Sequence, residues 1–469
     1  MARIITDICV IGGGSAGLSV AAGAVQMGAR VVLVEGGTMG GDCLNTGCVP
    51  SKALLAAAKA AQAMRDGAGF GVLPVVPSVD FAAANDHVAR VIAGIAPLDS
   101  QDRFEALGVR VIRAFGRFTG PDRLEAATDT ITARRFVIAT GSHPLVPGIP
   151  GLDAVSFLTN ETIFALRDRP DHLIIIGGGP IGMEMAQAHR RLGSAVTVIE
   201  GAQALARDDP EASALVLARL RAEGVTVIEG AKVVGVTPGI AVTLADGQRV
   251  FGSHLLLALG RKPALDRLNL AAARVDFTLK GVTVDARLRT SNRRVFAIGD
   301  AAGGLMFTHV AGYHAGIVVR QAVLGLPARA RTDHIPWVTY TDPELAQVGL
   351  TEAEARRAHG TRLTVVRSDF AHNDRAQTDG VGEGFLKLMV VGGRPVGVTI
   401  IGHGAGELIG LWALVLAQRL KLSAVAGMVA PYPTLGEISK RAAGAYFSPQ
   451  LFDSPMLKRV VRAVQRFLP

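Results

Sequence analysis

The chain has 469 residues, 49% of them hydrophobic and 19% charged, with 56 Gly; such a chain folds into several packed domains and is not disordered or collagen-like. A formal net charge of +9 raises nucleic acid or an anionic membrane as partners. However, Lys and Arg are interleaved with acids, only four Tyr and two Trp could stack on bases, and no nucleic-acid module is recognisable, so no nucleic-acid partner is expected. No apolar run reaches the ~20 residues that span a bilayer, and Met1–Asp7 has no apolar signal core, so the expected compartment is the cytoplasm.

Thr6–Ile11 reads as a buried strand. It runs into Gly12-Gly13-Gly14-Ser15-Ala16-Gly17, and an Ala-rich helix follows through Met27. A second strand, Ala29–Val34, ends in Glu35. This is the dinucleotide fingerprint in its strand–turn–helix–strand setting. Gly12 makes the tight turn, Gly14 lets a pyrophosphate approach the backbone and Gly17 lets helix and strand pack closely. Ser15 and Ala16 open the helix, where unpaired N–H groups face the diphosphate. Glu35 is placed to accept from a ribose diol.

The pattern recurs. Leu173–Ile176 leads into Gly177-Gly178-Gly179-Pro180-Ile181-Gly182, and Ala195–Ile199 ends in Glu200. Twenty-three positions separate Gly12 from Glu35 and Gly177 from Glu200 alike. In the second copy Gly177, Gly179, Ile181 and Gly182 are the expected cofactor contacts. Glu200 would bond a free 2′-hydroxyl and repel a 2′-phosphate, so NADH is expected over NADPH. The residues after it, Gly201 to Ala204, offer no basic cluster, although Arg207 is close by.

Three cysteines are too few for a disulfide scaffold. Cys9 lies in an apolar stretch and reads as core. Cys43 and Cys48 lie five apart in Gly40-Gly41-Asp42-Cys43-Leu44-Asn45-Thr46-Gly47-Cys48-Val49-Pro50-Ser51-Lys52, and in a reducing compartment such a pair is catalytic or redox-sensing.

In this stretch the sequence resembles the pyridine nucleotide–disulfide oxidoreductases, which include dihydrolipoamide dehydrogenase, glutathione reductase and mercuric reductase. The resemblance covers nearly the whole chain. It extends over Ala139-Thr140-Gly141-Ser142, Leu259-Gly260-Arg261-Lys262-Pro263, Phe296-Ala297-Ile298-Gly299-Asp300 and Tyr340-Thr341-Asp342-Pro343-Glu344, in the family's order. It implies an α/β fold with two Rossmann-type domains, for FAD and NAD(P), plus an α+β dimerisation domain. Residues 1–150 and 273–333 would bind FAD, 151–272 NAD, and 334–447 would form the interface of a homodimer. Gly41, Lys52, Thr140, Gly141, Ser142, Gly260, Arg261, Gly299 and Asp300 would join the first fingerprint around the cofactors, with Asp300 on the ribityl chain. No metal-ligand set is expected; His309 and His314 are read as structural or flavin-adjacent, and His403 as a surface loop residue.

The resemblance also implies roles for the redox residues. Cys48 would be the charge-transfer thiolate against the flavin, and Cys43 the thiol that attacks substrate. Lys52 would sit near flavin N5, paired with Glu184 on the helix of the second fingerprint. Pro50-Ser51-Lys52 reads as the start of a helix, whose N-terminus lowers a thiol pKa. Electrons would pass from NADH to FAD, then to a Cys43–Cys48 disulfide, then to an external acceptor by exchange.

The chain departs from this pattern in its C-terminal part. Disulfide-reducing relatives carry His-Pro-x-x-x-Glu there, and this chain reads Tyr432-Pro433-Thr434-Leu435-Gly436-Glu437. Glu437 is kept, the histidine is Tyr432, and the last histidine of the chain is His403. A phenol with pKa of about 10 is a poor base beside an imidazole at about 6.5, and general acid–base help is worth about 10²–10⁴-fold. Efficient lipoamide or glutathione disulfide turnover is therefore not expected. Mercuric reductase also has tyrosine at this place, but it carries a C-terminal cysteine pair, and this chain has no cysteine after Cys48.

Residues 448–469 form a further departure. Ser454-Pro455 starts a helix in which Met456, Leu457, Val460, Val461, Val464, Phe467 and Leu468 share one face. Lys458, Arg459, Arg462 and Arg466 lie off that face. Packing against the dimerisation domain is expected, with weak membrane-surface contact as the alternative. The function expected is NADH-dependent reduction of a disulfide or thiol-linked acceptor; the rivals are reduction of a soft metal ion at the dithiol and a membrane-docked flavoprotein of slow turnover.

Overall fold

The computed structural model describes residues 2–468; Met1 and Pro469, the outer ends of the expected FAD domain and of the tail, lie outside them. The described residues divide into two compact units: 2–203 with 223–331, and 204–222 with 332–468.

The first unit is built on two sheets whose central strands are parallel; in the larger, the strands Gly116–Gly120 and Arg123–Ala126 add an antiparallel extension to Asp129–Ile138. The strand Arg3–Ile11 alternates exposed and buried residues at its start and is buried on both faces at its end. That pattern suits a strand entering the middle of a sheet covered on both sides. It pairs in parallel with Val31–Val34 on one side and Asp129–Ile138 on the other. Arg110–Ile112 and Val295–Ala297 add outer parallel strands. One face of the sheet carries a core with Phe118 and Phe136 packed edge to face at 5.2 Å. The opposite face is covered by the helices Ser15–Gln26 and Thr308–Ala322, which bury Val20, Ala24, Ala315 and Val318. The second sheet repeats the plan: Thr226–Ile228, Ala195–Ile199, His172–Ile176 and His254–Leu257 lie in that order, all parallel. Both fingerprints are therefore βαβ units whose glycine turns lie at the carboxyl ends of central strands, where α/β sheets bind ligands.

The second unit is α+β. Its five strands run antiparallel in the order Pro336–Thr339, Glu344–Gly349, Arg394–Gly402, Phe385–Val391, Leu363–Asp369. The helices Ala405–Ala417 and Glu437–Phe452 contribute to its core, where the buried Trp412 donates from Nε1 to Ser439 Oγ at 3.1 Å.

Two boundaries differ from the sequence expectation. Residues 204–222, expected within the NAD domain, belong to the second unit. The buried Lys387 ammonium lies 2.9 Å from Asp209, 3.0 Å from Glu211 and 3.0 Å from Glu352, and Trp337 Nε1 donates to Asp208 at 2.7 Å. A buried cation must be paired, and the helix Pro210–Ala222 and the residues just before it bring two of its three carboxylates. The helix from Glu437 also runs past 447 to Phe452. Ser454 then caps a separate helix, Pro455–Phe467, accepting from Leu457 N–H at 3.3 Å. No residue of this last helix is buried, which corrects the expectation that it packs on its own C-terminal domain; its apolar arc finds no covering surface among the described residues of the protomer. Among those residues, too, no helix is long and apolar enough to cross a membrane.

Candidate active site

Both glycine turns are built the same way. Gly12 has φ of +111°, and a Cβ there would lie 2.2 Å from Ala139 O; Gly177 has φ of +115°, and its Cβ would lie 2.4 Å from Ala258 O. Only glycine suits such a backbone. A Cβ on Gly17 would meet Gly12 O at 1.8 Å, and one on Gly182 would meet Gly177 O at 2.0 Å, so helix and turn touch backbone to backbone. Gly14 and Gly179 precede the two helices, and neither supplies a side-chain cap. The first-turn N–H groups, at Ser15, Ala16 and Gly17 in one helix and at Ile181 and Gly182 in the other, are those that suit an anion. The terminal acids complete the match. Glu35 accepts from Gly13 N–H and Gly37 N–H; Glu200 accepts from Gly178 N–H at 2.7 Å and Ala202 N–H at 2.9 Å.

Around the first turn the later motifs converge. Gly41, at φ +62°, comes so close to Gly14 that a Cβ would lie 2.7 Å from its Cα. Ser142–Pro144 pairs with Arg261–Pro263 as a two-stranded ribbon, which joins the Thr140-Gly141-Ser142 and Gly260-Arg261 motifs. Arg261 Nε donates to Ser142 Oγ at 2.7 Å, and Ser142 Oγ donates to Asp300 at 2.5 Å. Burial raises the Asp300 carboxyl above the ordinary carboxylate range, against the pull of Ser142 and Arg261. Gly299 donates its N–H to His314 Nδ1 at 3.3 Å, and burial lowers the pKa of that imidazole. His314 therefore anchors the Gly299-Asp300 turn, while His309 stacks on Phe307 at 5.3 Å.

Cys43 and Cys48 are free thiols that hydrogen-bond to each other. Cys43 lies within a short helix, Gly41–Asn45, and Cys48 is the first residue of the helix Cys48–Ala63. The Cys48 thiol is pushed down to about 6, chiefly by the hydrogen bond from Cys43, with Thr308 and Lys52 acting in the same direction against burial. Cys43, the donor, is driven well above the ordinary thiol range by that bond and by burial. Lys52, one turn along the same helix, pairs with the buried Glu184 at 2.7 Å. Sequence reasoning missed three partners of this loop. Thr308 Oγ1 lies 3.3 Å from Cys48 Sγ. Asn160 Nδ2 donates to Asp42 at 3.0 Å and Thr46 O at 3.1 Å. Asp42 also pairs with Arg261 at 2.9 Å. Thr308 adjoins His309 and belongs to no recognisable motif.

Tyr432 and Glu437 lie in the second unit. Tyr432 is 70% exposed, and its hydroxyl donates to Asp374 at 3.0 Å. That bond raises the phenol further above its ordinary range, which makes it harder still to ionise at neutral pH. Glu437 accepts from Thr434 N–H at 3.4 Å, so it braces the turn that carries Tyr432.

The residues present fit FAD. Thr140 Oγ1 is buried with no hydrogen-bond partner, beside an uncapped helix start and a glycine cradle that any Cβ would fill. Gly12, Gly14, Ser15, Ala16, Gly17 and Glu35, with Gly41, Thr140, Ser142 and Asp300, are the groups that would hold it.

Comparisons with known proteins agree with this geometry. Residues 6–315 match the pyridine nucleotide-disulphide oxidoreductase family, and residues 335–443 match its dimerisation domain. The chain is 36% identical to a mercuric reductase of Streptomyces lividans, covering 94% of this chain and 96% of that protein. It is 37% identical to a dihydrolipoyl dehydrogenase of Thermus scotoductus, covering 94% and 97%. Among solved structures it resembles the Cu(II) complex of the HOCl-induced flavoprotein disulfide reductase RclA from Escherichia coli, with TM-score 0.83, 28% identity, and coverage of 93% and 99%. The chain belongs to the pyridine nucleotide–disulphide oxidoreductases, FAD-dependent enzymes that carry a dimerisation domain.

Proposed function

We propose that the protein, as a cytoplasmic homodimer, transfers two electrons from NADH to the Cys43–Cys48 pair and on to a disulfide or thiol-linked acceptor through Cys43. The observation that carries this reading is the asymmetry of the pair. One sulfur begins a helix, where Cys43, Thr308 and Lys52 lower its pKa; the other lies in the short helix before it, and its own pKa is raised. Bound FAD would supply the hydride chemistry with a nicotinamide that sulfur cannot perform alone. Glu200, with both oxygens fixed by backbone N–H groups, supports NADH over NADPH.

At the reduced pair, Cys43 gives up its proton and attacks one sulfur of the acceptor disulfide, expelling the first thiolate. Cys48 then attacks the Cys43 sulfur, the second acceptor thiolate leaves, and the intramolecular disulfide closes. The Cys43 proton ends on one released thiol; the other leaves as a thiolate and takes its proton from solvent, because Cys48 enters the step already ionised. Lys52, steadied by Glu184, stabilises the Cys48 thiolate until it attacks. The weak point is the proton on Cys43. With Tyr432 in place of an imidazole, acceptors with acidic leaving thiols, such as aromatic disulfides, should turn over well ahead of lipoamide.

A second reading is reduction of a soft metal ion held by the two sulfurs. It is favoured by Tyr432, by the mercuric reductases among the relatives and by a structural relative solved with Cu(II). A thiolate already formed near neutral pH binds such an ion without help from a base.

The deciding experiment is an anaerobic spectral titration of the yellow protein with NADH and, separately, NADPH. A long-wavelength band that is absent in Cys48→Ser supports electron flow to the pair. Bleaching of the flavin without that band would sink both readings and turn the search to quinones and oxygen.

A further inference from the structure

The C-terminal helix Pro455–Phe467 has no role in the electron path, and its surface is unusually ordered. At ~100° per residue, Met456, Phe467, Val460, Val464, Leu457, Leu468 and Val461 fill one arc of about 140°. Gln465, Lys458, Arg462, Arg466 and Arg459 fill the remainder, with Ala463 between Arg459 and Met456. Every large apolar residue of the arc is exposed in the protomer, Phe467 by 82%. Residues 454–469 contain four cationic side chains and no acidic one. The helix is about 20 Å long, too short to span a bilayer.

We infer that this helix lies in the interface plane of a membrane rich in anionic phospholipid and docks the enzyme there. Two features select that occupant. The cations flank both edges of the apolar arc, Lys458 about 60° from Val461 and Arg459 about 60° from Met456. Long basic stems at those edges can reach headgroup phosphates while the arc sinks between acyl chains. A second copy of the helix laid face to face would set these cations against like cations, with no acid to offset them.

The test is flotation of the full-length flavoprotein with phosphatidylcholine vesicles, with and without phosphatidylglycerol. Binding should require phosphatidylglycerol and weaken with salt. Arg459→Glu with Arg462→Glu should lower the partition coefficient at least about tenfold, and Val460→Asp with Val464→Asp should do the same, while flavin content and NADH consumption stay unchanged. In a Phe467→Trp chain, tryptophan emission should shift to the blue when phosphatidylglycerol vesicles are added. Equal binding by wild type and both double variants would overturn the inference, since other basic surface would then be responsible. Failure of the wild type to float would overturn it as well. So would conversion of the lipid-free dimer to monomer by either double variant, which would make the helix an interface between copies.

Discussion

The two glycine cradles repeat their glycines and terminal glutamate at the same spacing, yet only one adjoins the redox pair. In each, a glycine at φ above +110° lies against a carbonyl of a neighbouring strand, and a glutamate at the end of the next strand ties back to the turn. They diverge beyond that glutamate. After Glu35 the chain enters Gly40–Lys52, where two cysteines and a lysine gather near helix starts; after Glu200 it enters Gly201-Ala202-Gln203, which carries no reactive side chain. The second repeat contributes one residue to the first, because Glu184, on its helix, reaches Lys52. The shared part of the fingerprint thus speaks for nucleotide binding, and the residues outside the repeat decide which cradle does chemistry.

The largest effects should come from breaking each cradle in turn. Gly12→Ala is expected to yield colourless protein, its FAD affinity lowered roughly 10²-fold or more by strain and overlap; the flavin-to-protein absorbance ratio after gel filtration reads this. Gly177→Ala should keep its colour and lose NADH reduction to a similar degree. If it also lost flavin, the two cradles would not be independent. Next, Cys48→Ser should retain NADH-driven flavin reduction and lower acceptor turnover by about 10³-fold.

Smaller changes sharpen the contrast. Tyr432→His should raise lipoamide turnover, by up to about 10²-fold; no gain in steady-state rate would discard the account of the missing base. Glu200→Ala should narrow the NADH over NADPH preference about tenfold, whereas Glu35→Ala should loosen flavin and leave that preference alone, as paired kcat/KM measurements would show. The smallest effect concerns acid. The folded pKa of Cys48 is lowered to about 6 from an ordinary thiol value of 9.0. The thiolate's contribution to stability is therefore fully present above pH of about 9 and lost as pH falls through about 6. Ultraviolet thiolate absorbance of the reduced protein should fall with that lower midpoint, and Thr308→Val should move the midpoint upward.

Much of this site was legible because its parts are local. Glycine spacing, the strand before it and the acid after it fall within about thirty residues, and Cys43, Cys48 and Lys52 share one short stretch. What escaped is what the fold brings from afar. Thr308 meets Cys48 across 260 positions, Asn160 meets Asp42 across 118, and Asp374 meets Tyr432 across 58. None of these has a periodicity or motif that would mark it in advance. The affiliation of residues 204–222 escaped for the same reason, since Lys387 and Asp209 are 178 positions apart. The Lys52–Glu184 contact was named only because a family resemblance pointed to it; nothing in the spacing of those two residues would have done so.

That Lys387 cluster has a consequence for how such chains can be recombined. The backbone leaves the first unit at 203, returns at 223 and leaves again at 331, so the C-terminal unit is not a cassette attached at one point. A chimera joined near 333, taking its last part from a relative, would inherit Asp209 and Glu211 from one parent and the residue at 387 from the other. Without lysine there, two carboxylates that now flank a buried ammonium would be left facing each other. Grafts that carry 204–222 along with the C-terminal part should tolerate exchange, and those cut only at the apparent linker should not.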